Sequence, residues 1–311
     1  MPRLTGQKRR YFRMHLEICL RAAHGERLQD LVNKLFTRIY GDEFVPTCPW
    51  GDKGDLSCDG YLKQPATLFA CYGRDNGTGH RRPHDFVKKI RDDFAGARAK
   101  WPEMEEWVFV SNVVDGIPGP VAKALTTISN NTGVRHSFFG RVKFEQHLLE
   151  LDSDIIEDIL GQIPVRENYL ELPPEIVQEV VSNITENFSL SYLKDVPKPV
   201  PENKIAINSI PDCHAAFIKL GLMSHSVVTA CLAQSVDSSL GASLAAAFRN
   251  KYDELVAQKL EPGAIMDELH RFALGGCDGY KATYQAAAWA LLAHLFESCS
   301  IFEDKAPEAV K

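Results

Sequence analysis

Near residue 165 the apolar pattern changes period, and that change limits what this chain can fold into. Before it, short apolar runs such as WVFV at 107–110 alternate with segments of helical spacing. After a stretch of frequent prolines, from Pro164 through Pro173-Pro174 to KDVPKPVPEN, the remaining apolar segments recur at helical spacing and are rich in Ala and Leu. The expected fold class is an α/β N-terminal domain with a mixed sheet, followed by an all-α helical bundle. The expected domains are 1–162, a connector over 163–202 that holds one helix near 175–187, and 203–311.

Within the first part, the spacing predicts one amphipathic helix over 16–39 ending at Gly41, then a loop and β-hairpin turning at Gln64-Pro65. A helix over 86–100, a buried strand at 107–110, a helix over 117–129, a strand over 135–139 and helix over 144–160 follow, the last with an Asp152 or Ser153 cap. In the second part helices are expected at 215–221, 226–235, 240–260, 264–273 and 280–302. No fixed-period repeat appears, so a compact bundle is expected rather than a solenoid.

At 311 residues, with 45% hydrophobic and 24% charged residues, the chain has the composition of a globular protein. No run approaches the roughly 18 apolar residues of a membrane span, and charges occupy the N-terminus where a signal peptide needs its apolar stretch. A cytoplasmic protein with no membrane partner is the expectation. The eight cysteines have no close pair, so they read as free thiols. Charge is divided along the chain. The first 100 residues hold 19 Lys and Arg against 12 Asp and Glu, whereas the whole chain is at −6, which makes the remainder strongly acidic. A basic first part suits a phosphate backbone or an acidic partner.

Chemistry concentrates in GDKGDLSCDGYLKQPATLFACYG, where Asp52, Asp55 and Asp59 lie among glycines at the start of the hairpin. A Mg²⁺-dependent nuclease needs two or three hard oxygen ligands and a nearby cation, so that the metal activates water and stabilises the phosphorane. A two-residue turn at Gln64-Pro65 sets Asp59 opposite Ala70 and puts Tyr61, Lys63 and Tyr72 on its face. The opposing reading gives Asp52 and Asp55 turn hydrogen bonds to backbone N–H groups. The second cluster, GHRRPHDFVKKIR, offers His80, Arg81, Arg82, His84, Lys88, Lys89 and Arg91 as a nucleic-acid-binding stripe, against a solvated helix face neutralised by Asp85, Asp92 and Asp93. No G-x-S-x-G, Walker or dinucleotide motif is present.

The opening helix, GDKGDLSCDGY, IRDDFAGARAKWPEMEEWVFVSN, DIIEDILGQIP, NKIAINSI, FRNKYDEL and LAHLFESCSIFED, taken in order, resemble the C-terminal domain family attached to effectors of bacterial ABC-three-component conflict systems. The N-terminal half is similar to Mrr-type restriction endonucleases, and the resemblance implies a restriction-endonuclease-like mixed sheet. It implies that Asp59 stands at the first metal-binding aspartate and that Asp30 or Glu17 matches the helical acid. It also implies a partner, an SMC-like ABC ATPase or a small middle component of the same system. Active enzymes of the Mrr type carry Glu or Gln, any residue, then Lys on the next strand, where this chain has Ala70, Cys71 and Tyr72. A phenol lacks the permanent charge that an ammonium offers a phosphate transition state. The expectation is a catalytically degenerate nuclease-like module, without cofactor, that binds a partner protein or DNA or RNA. The alternative is an active anti-phage DNA endonuclease using Mg²⁺, with Asp59, Asp55 and a relocated Lys63 as catalytic residues and Asp59, Asp55 and Asp30 as metal ligands.

Overall fold

The computed structural model describes residues 4–48, 56–74, 83–187, 204–298 and 301–302. The chain divides into two compact units, one of residues 1–5 and 19–159, the other of residues 6–18 and 160–311.

Where one N-terminal helix was expected there are two, α1 (Gly6–Ala22) and α2 (Glu26–Tyr40). The break falls at Gly25, whose φ of 52° lies in the left-handed region that favours glycine. There the Gly25 N–H donates to the Gly73 carbonyl at 3.1 Å, and a Cβ on Gly73 would come within 2.5 Å of the Gly25 nitrogen. Two glycines thus let the end of a strand pass against the helix break, a non-local demand that apolar spacing does not encode. The helix does end before Gly41, as expected.

Strands β1 (Phe44–Pro46), β2 (Gly60–Leu62) and β3 (Thr67–Tyr72) form an antiparallel meander. After α3 (Pro83–Lys100), strand β4 (Glu106–Ser111) joins parallel to β3. After α4 (Gly119–Thr132), strand β5 (Arg135–Phe139) joins parallel to β4. The sheet order is therefore β1-β2-β3-β4-β5, mixed as expected. Parallel neighbours need a crossover, and α3 and α4 supply it. β4 is buried on both faces, which explains why its sequence is an unbroken apolar run rather than an alternation.

On one face of the sheet, α2 sets Phe36 against Phe69 (ring centroids 4.7 Å apart), Phe139 (4.9 Å) and Phe44 (5.5 Å). The other face carries Leu68, Ala70, Trp107 and Phe109 under Phe86, Ile90 and Phe94 of α3 and Val121 and Leu125 of α4. The expected helix over 144–160 is two, α5 (Arg141–Leu148) and α6 (Ser153–Leu160), the second starting after Asp152.

The helical unit continues with α7 (Arg166–Leu170), α8 (Pro174–Asn187), α9 (Lys204–Ile207), α10 (Asp212–Gly221), α11 (His225–Ala233), α12 (Leu240–Ala257), α13 (Pro262–Leu274) and α14 (Ala282–Glu297). Its axis is α14, against which α7, α8, α10, α11 and α13 all pack. Nearly every residue of α14 from Gln285 to Phe296 is buried, and the run of alanines Ala286, Ala287 and Ala288 lets neighbouring helices approach closely. At Gly221 of α10 a Cβ would lie 2.5 Å from the Trp289 carbonyl oxygen. The described stretch Asp212–Ala233 meets the length and hydropathy of a membrane span. It consists of two helices, α10 and α11, separated by a 3₁₀ turn at Leu222–Ser224, and places Phe217, Ile218 and Val228 in the core.

Removing the ring at the centre of the α2 face tests this packing. Phe36→Ala is expected to cost about 3–5 kcal/mol in urea unfolding, whereas Arg38→Ala, at a solvent-exposed pair with Asp158, should cost less than about 1 kcal/mol. Equal effects would contradict the assignment of the core.

Candidate functional site

Each paired position of the hairpin follows the expected register, with Gly60 across from Phe69 and Leu62 across from Thr67. Tyr61 and Tyr72 lie on the α3 side of the sheet, Tyr61 stacked at 5.2 Å on Trp101, just past the end of α3, and Tyr72 against Phe86 at 5.1 Å. Asp59 sits one residue before β2. Its N–H donates to the Phe69 carbonyl at 2.8 Å, and its Oδ2 accepts from the Cys71 N–H at 2.6 Å. The carboxylate stands in for backbone at the point where the β2 ladder ends, so that β3 continues with its N–H satisfied.

Two thiols flank this carboxylate. Burial pushes the Cys58 thiol up to about 11, with the Asp59 charge adding to the shift. Desolvation pushes Cys71 well above the usual thiol range, again reinforced by Asp59 and then by Cys58. Both are therefore neutral near pH 7, and neither competes with the Asp59 charge. The segment leading in is held from the C-terminal end of α3, since Lys100 Nζ donates to Ser57 Oγ at 3.4 Å and Trp101 Nε1, one residue past the helix, to the Leu56 carbonyl at 3.3 Å. Leu56 and Ser57 both adopt left-handed φ values, 57° and 59°.

The other sequence-predicted residues fall as follows. Lys63 is exposed, and its Nζ donates to the Asp42 carbonyl at 2.6 Å. Asp30 lies exposed on α2. Glu17 lies on α1 within the segment assigned to the helical unit. Asp52, Asp55, His80, Arg81 and Arg82 are outside the described residues. Of the basic stripe, Lys88 pairs with Asp92 at 3.0 Å, Lys89 with Asp93 at 2.7 Å and His84 with Asp85 at 3.4 Å, the first two along one helix face at i,i+4 spacing. Among the described residues no group of three or more His, Cys, Asp or Glu side chains is arranged to hold a metal ion.

A second polar cluster, which residue spacing does not disclose, lies inside the helical unit. His214 of α10 is fully buried and its Nε2–H donates to Asp267 Oδ1 of α13 at 2.8 Å. Its Nδ1 lies 3.3 Å from Cys213 Sγ. Burial alone would lower the His214 value, but the Asp267 charge and hydrogen bond outweigh it and raise it to about 10, so the pair is ionic at neutral pH. His270, one helical turn beyond Asp267, stacks on Trp289 at 4.5 Å, and burial lowers it to about 3. His15 of α1 is likewise lowered by burial, and its Nε2–H donates to the Leu160 carbonyl at 2.9 Å. The clue in the sequence was a charged residue on an otherwise apolar stripe, Asp267 in GAIMDEL, with its partner 53 residues away.

With a mixed α/β unit and an α-helical unit centred on α14, the chain has the form of a two-part modular protein. Residues 175–303, which run from α8 to beyond α14, match the family model described as C-terminal domain 10 of the ABC-three component (ABC-3C) systems. The match covers less than half of the chain, and for those residues it agrees with the resemblance drawn from the sequence. No curated protein and no solved structure matches the chain.

Two sets of variants probe these clusters. Asp59→Ala leaves the Cys71 N–H without its acceptor and should destabilise the α/β unit by about 1–3 kcal/mol in urea unfolding, while Asp59→Asn, which keeps an oxygen there, should cost clearly less. Asp267→Ala strands a buried imidazole and should cost about 3–5 kcal/mol, with the double variant His214→Leu/Asp267→Leu recovering part of the loss. The pH dependence has a defined sign. His214 binds its proton more tightly when folded, so its contribution is complete below 6.5 and is lost as pH rises toward about 10. His270 binds its proton more weakly when folded, so stability falls as pH drops from 6.5 toward about 3. Urea midpoints measured across this range should decline on both sides, and a flat profile would contradict the assignment.

Proposed function

We propose that this chain serves its conflict system as a binding component, in which a nuclease-like α/β unit has lost catalysis and the helical unit docks a partner protein. Asp59 carries the reading. It is the aspartate that the family resemblance aligns with a metal ligand, and its Oδ2 is committed at 2.6 Å to the Cys71 backbone. Where an active enzyme of that type needs an acid or amide and a Lys, the strand offers Ala70, buried in the core, and Tyr72, packed on Phe86. The Lys63 amine, the relocated cation that a working site would require, is engaged with the Asp42 carbonyl. Transition-state stabilisation of a phosphodiester needs charge fixed at the reacting centre before reaction, and this arrangement spends its groups on holding the hairpin.

The mixed sheet, with an antiparallel hairpin leading into parallel β3 and β4, supports the restriction-endonuclease-like reading of the unit. The partner is an SMC-like ABC ATPase or a small middle component of the same system, a reading that rests on the ABC-three component match. Nucleic acid is the less favoured ligand, because the described lysines of the basic stripe are paired with Asp92 and Asp93 and lie on a solvated face.

Two assays decide. Purified chain incubated with Mg²⁺ or Mn²⁺ and plasmid or phage DNA should leave the DNA intact; cleavage that Asp59→Asn abolishes would establish the active nuclease instead. Co-expression with an SMC-like ABC ATPase or small middle component of such a system should give a complex that survives replacement of residues 19–159 by a flexible linker, which keeps both segments of the helical unit, only if the helical unit docks the partner. Loss of the complex with the helical unit still folded by circular dichroism would refute that assignment.

A further inference from the structure

We propose that the groove between α12 and α13 is the surface on which the helical unit receives its partner. Its occupant is an amphipathic helix of that partner, carrying a basic, an acidic and an apolar side chain in that order along one face. The proposal rests on the reading that the helical unit docks a partner protein, and it names the face and the chemistry of that contact.

The two helices are joined by residues 258–261 and pack together, with Phe248 edge-on to Phe272 at 4.8 Å. So short a connection makes them run antiparallel. Between them lies a cleft of about 420 Å³. Ala247, Asn250, Lys251 and Glu254 form its α12 wall, and Glu268, Arg271 and Phe272 form its α13 wall. Spacings of three, four and seven residues put each set on one face of its helix. Moving away from the connection, α12 presents Glu254, then Lys251, then Ala247, and α13 presents Glu268, then Arg271, then Phe272. Both walls thus repeat one order, acid, base and apolar residue, and the groove has a direction. On α12 each step is about one helical turn, so a guest helix offering base, acid and apolar residue at the same spacing meets the wall in register.

The charges are held in place without being locked. Lys251 Nζ donates to Glu254 Oε2 at 3.0 Å, and Arg271 Nη1 donates to both oxygens of Glu268 at 2.7 Å. Each pair lies within its own helix, and the four side chains are between 28% and 55% exposed. Such pairs add little stability, so they exchange readily for opposite charges on a guest. A guanidinium also has donors for a second carboxylate. At the far end the small Ala247 beside the Phe272 ring leaves room for an apolar anchor, the kind of residue in which interface energy concentrates. Walls this exposed suit a protein surface rather than a small molecule, whose site encloses most of its ligand.

The full chain is co-expressed with an SMC-like ABC ATPase or small middle component of such a system, and the affinity of the complex is measured. Lys251→Glu/Arg271→Glu should weaken it at least about tenfold, while Lys219→Glu, exposed on α10, should leave it unchanged. If the double variant loses helix by circular dichroism, Asn250→Trp, at an exposed position in the groove, takes its place with the same expectation. A photocrosslinking residue in place of Asn250 should capture a partner helix with the order base, acid, apolar, and replacing that helix's acid by Lys should restore binding to the double variant. Unchanged affinity for the reversed groove, in a complex that survives replacement of residues 19–159 by a linker, would overturn the groove and leave the docking reading standing. Loss of the complex on that replacement, with the helical unit folded, would overturn both. A crosslink to a segment without that order would overturn the occupant.

Discussion

The α/β unit depends on how β2 begins. An antiparallel ladder that stops leaves its neighbour with an unpaired backbone N–H, and β3 has no latitude to leave one, because it also pairs with β4 along its whole length. Asp59 resolves this by presenting a carboxylate oxygen to the Cys71 N–H. The residue that the resemblance aligns with a metal-binding aspartate thereby holds the sheet together. Cys58 and Cys71, kept neutral by burial beside it, add no competing charge. A side chain can serve structure and catalysis at once, but a carboxylate with an oxygen at 2.6 Å from a backbone donor has less to offer a metal ion than one facing open space.

The helical unit is organised by a different constraint. α14 is apolar on every side, so it must be enclosed, and five helices pack around it. Into that enclosure α10 and α13 bring one ionic pair, His214 and Asp267. Pairs of this kind add little net stability over a well-packed apolar core but are severe against misregistered packings, because either partner alone is a buried charge. The ABC-three component match covers both members of the pair and the helices that carry them.

Much of the fold could be read from the sequence, and where it could not the reasons are physical. β4 declared itself through WVFV, since a strand covered on both faces has no polar alternation. The hairpin register followed from its turn, and the helices of the second part followed from 3.6-residue spacing. The split between α1 and α2 was hidden because it answers to the approach of Gly73 against Gly25, 48 residues apart in the chain. The role of Asp59 was half legible: its place at the hairpin could be counted, but its hydrogen bond to Cys71 could not. For His214–Asp267 the sequence held only the clue of a charged residue on an apolar stripe, since the pair joins helices far apart in sequence and no local pattern marks a residue by its distant partner.

Asp59 accepts from the Cys71 backbone, and the proposed function takes this as its role in place of metal binding. Paramagnetic broadening by Mn²⁺ tests it most directly, read on the amide signals of Asp59, Cys71 and Tyr72 in the full chain. The account predicts that these amides broaden no more than those of distant exposed loops, and that the Cys71 amide remains protected from hydrogen exchange until Asp59 is replaced by Ala. Selective, saturable broadening centred on Asp59, which Asp59→Asn removes, would contradict it.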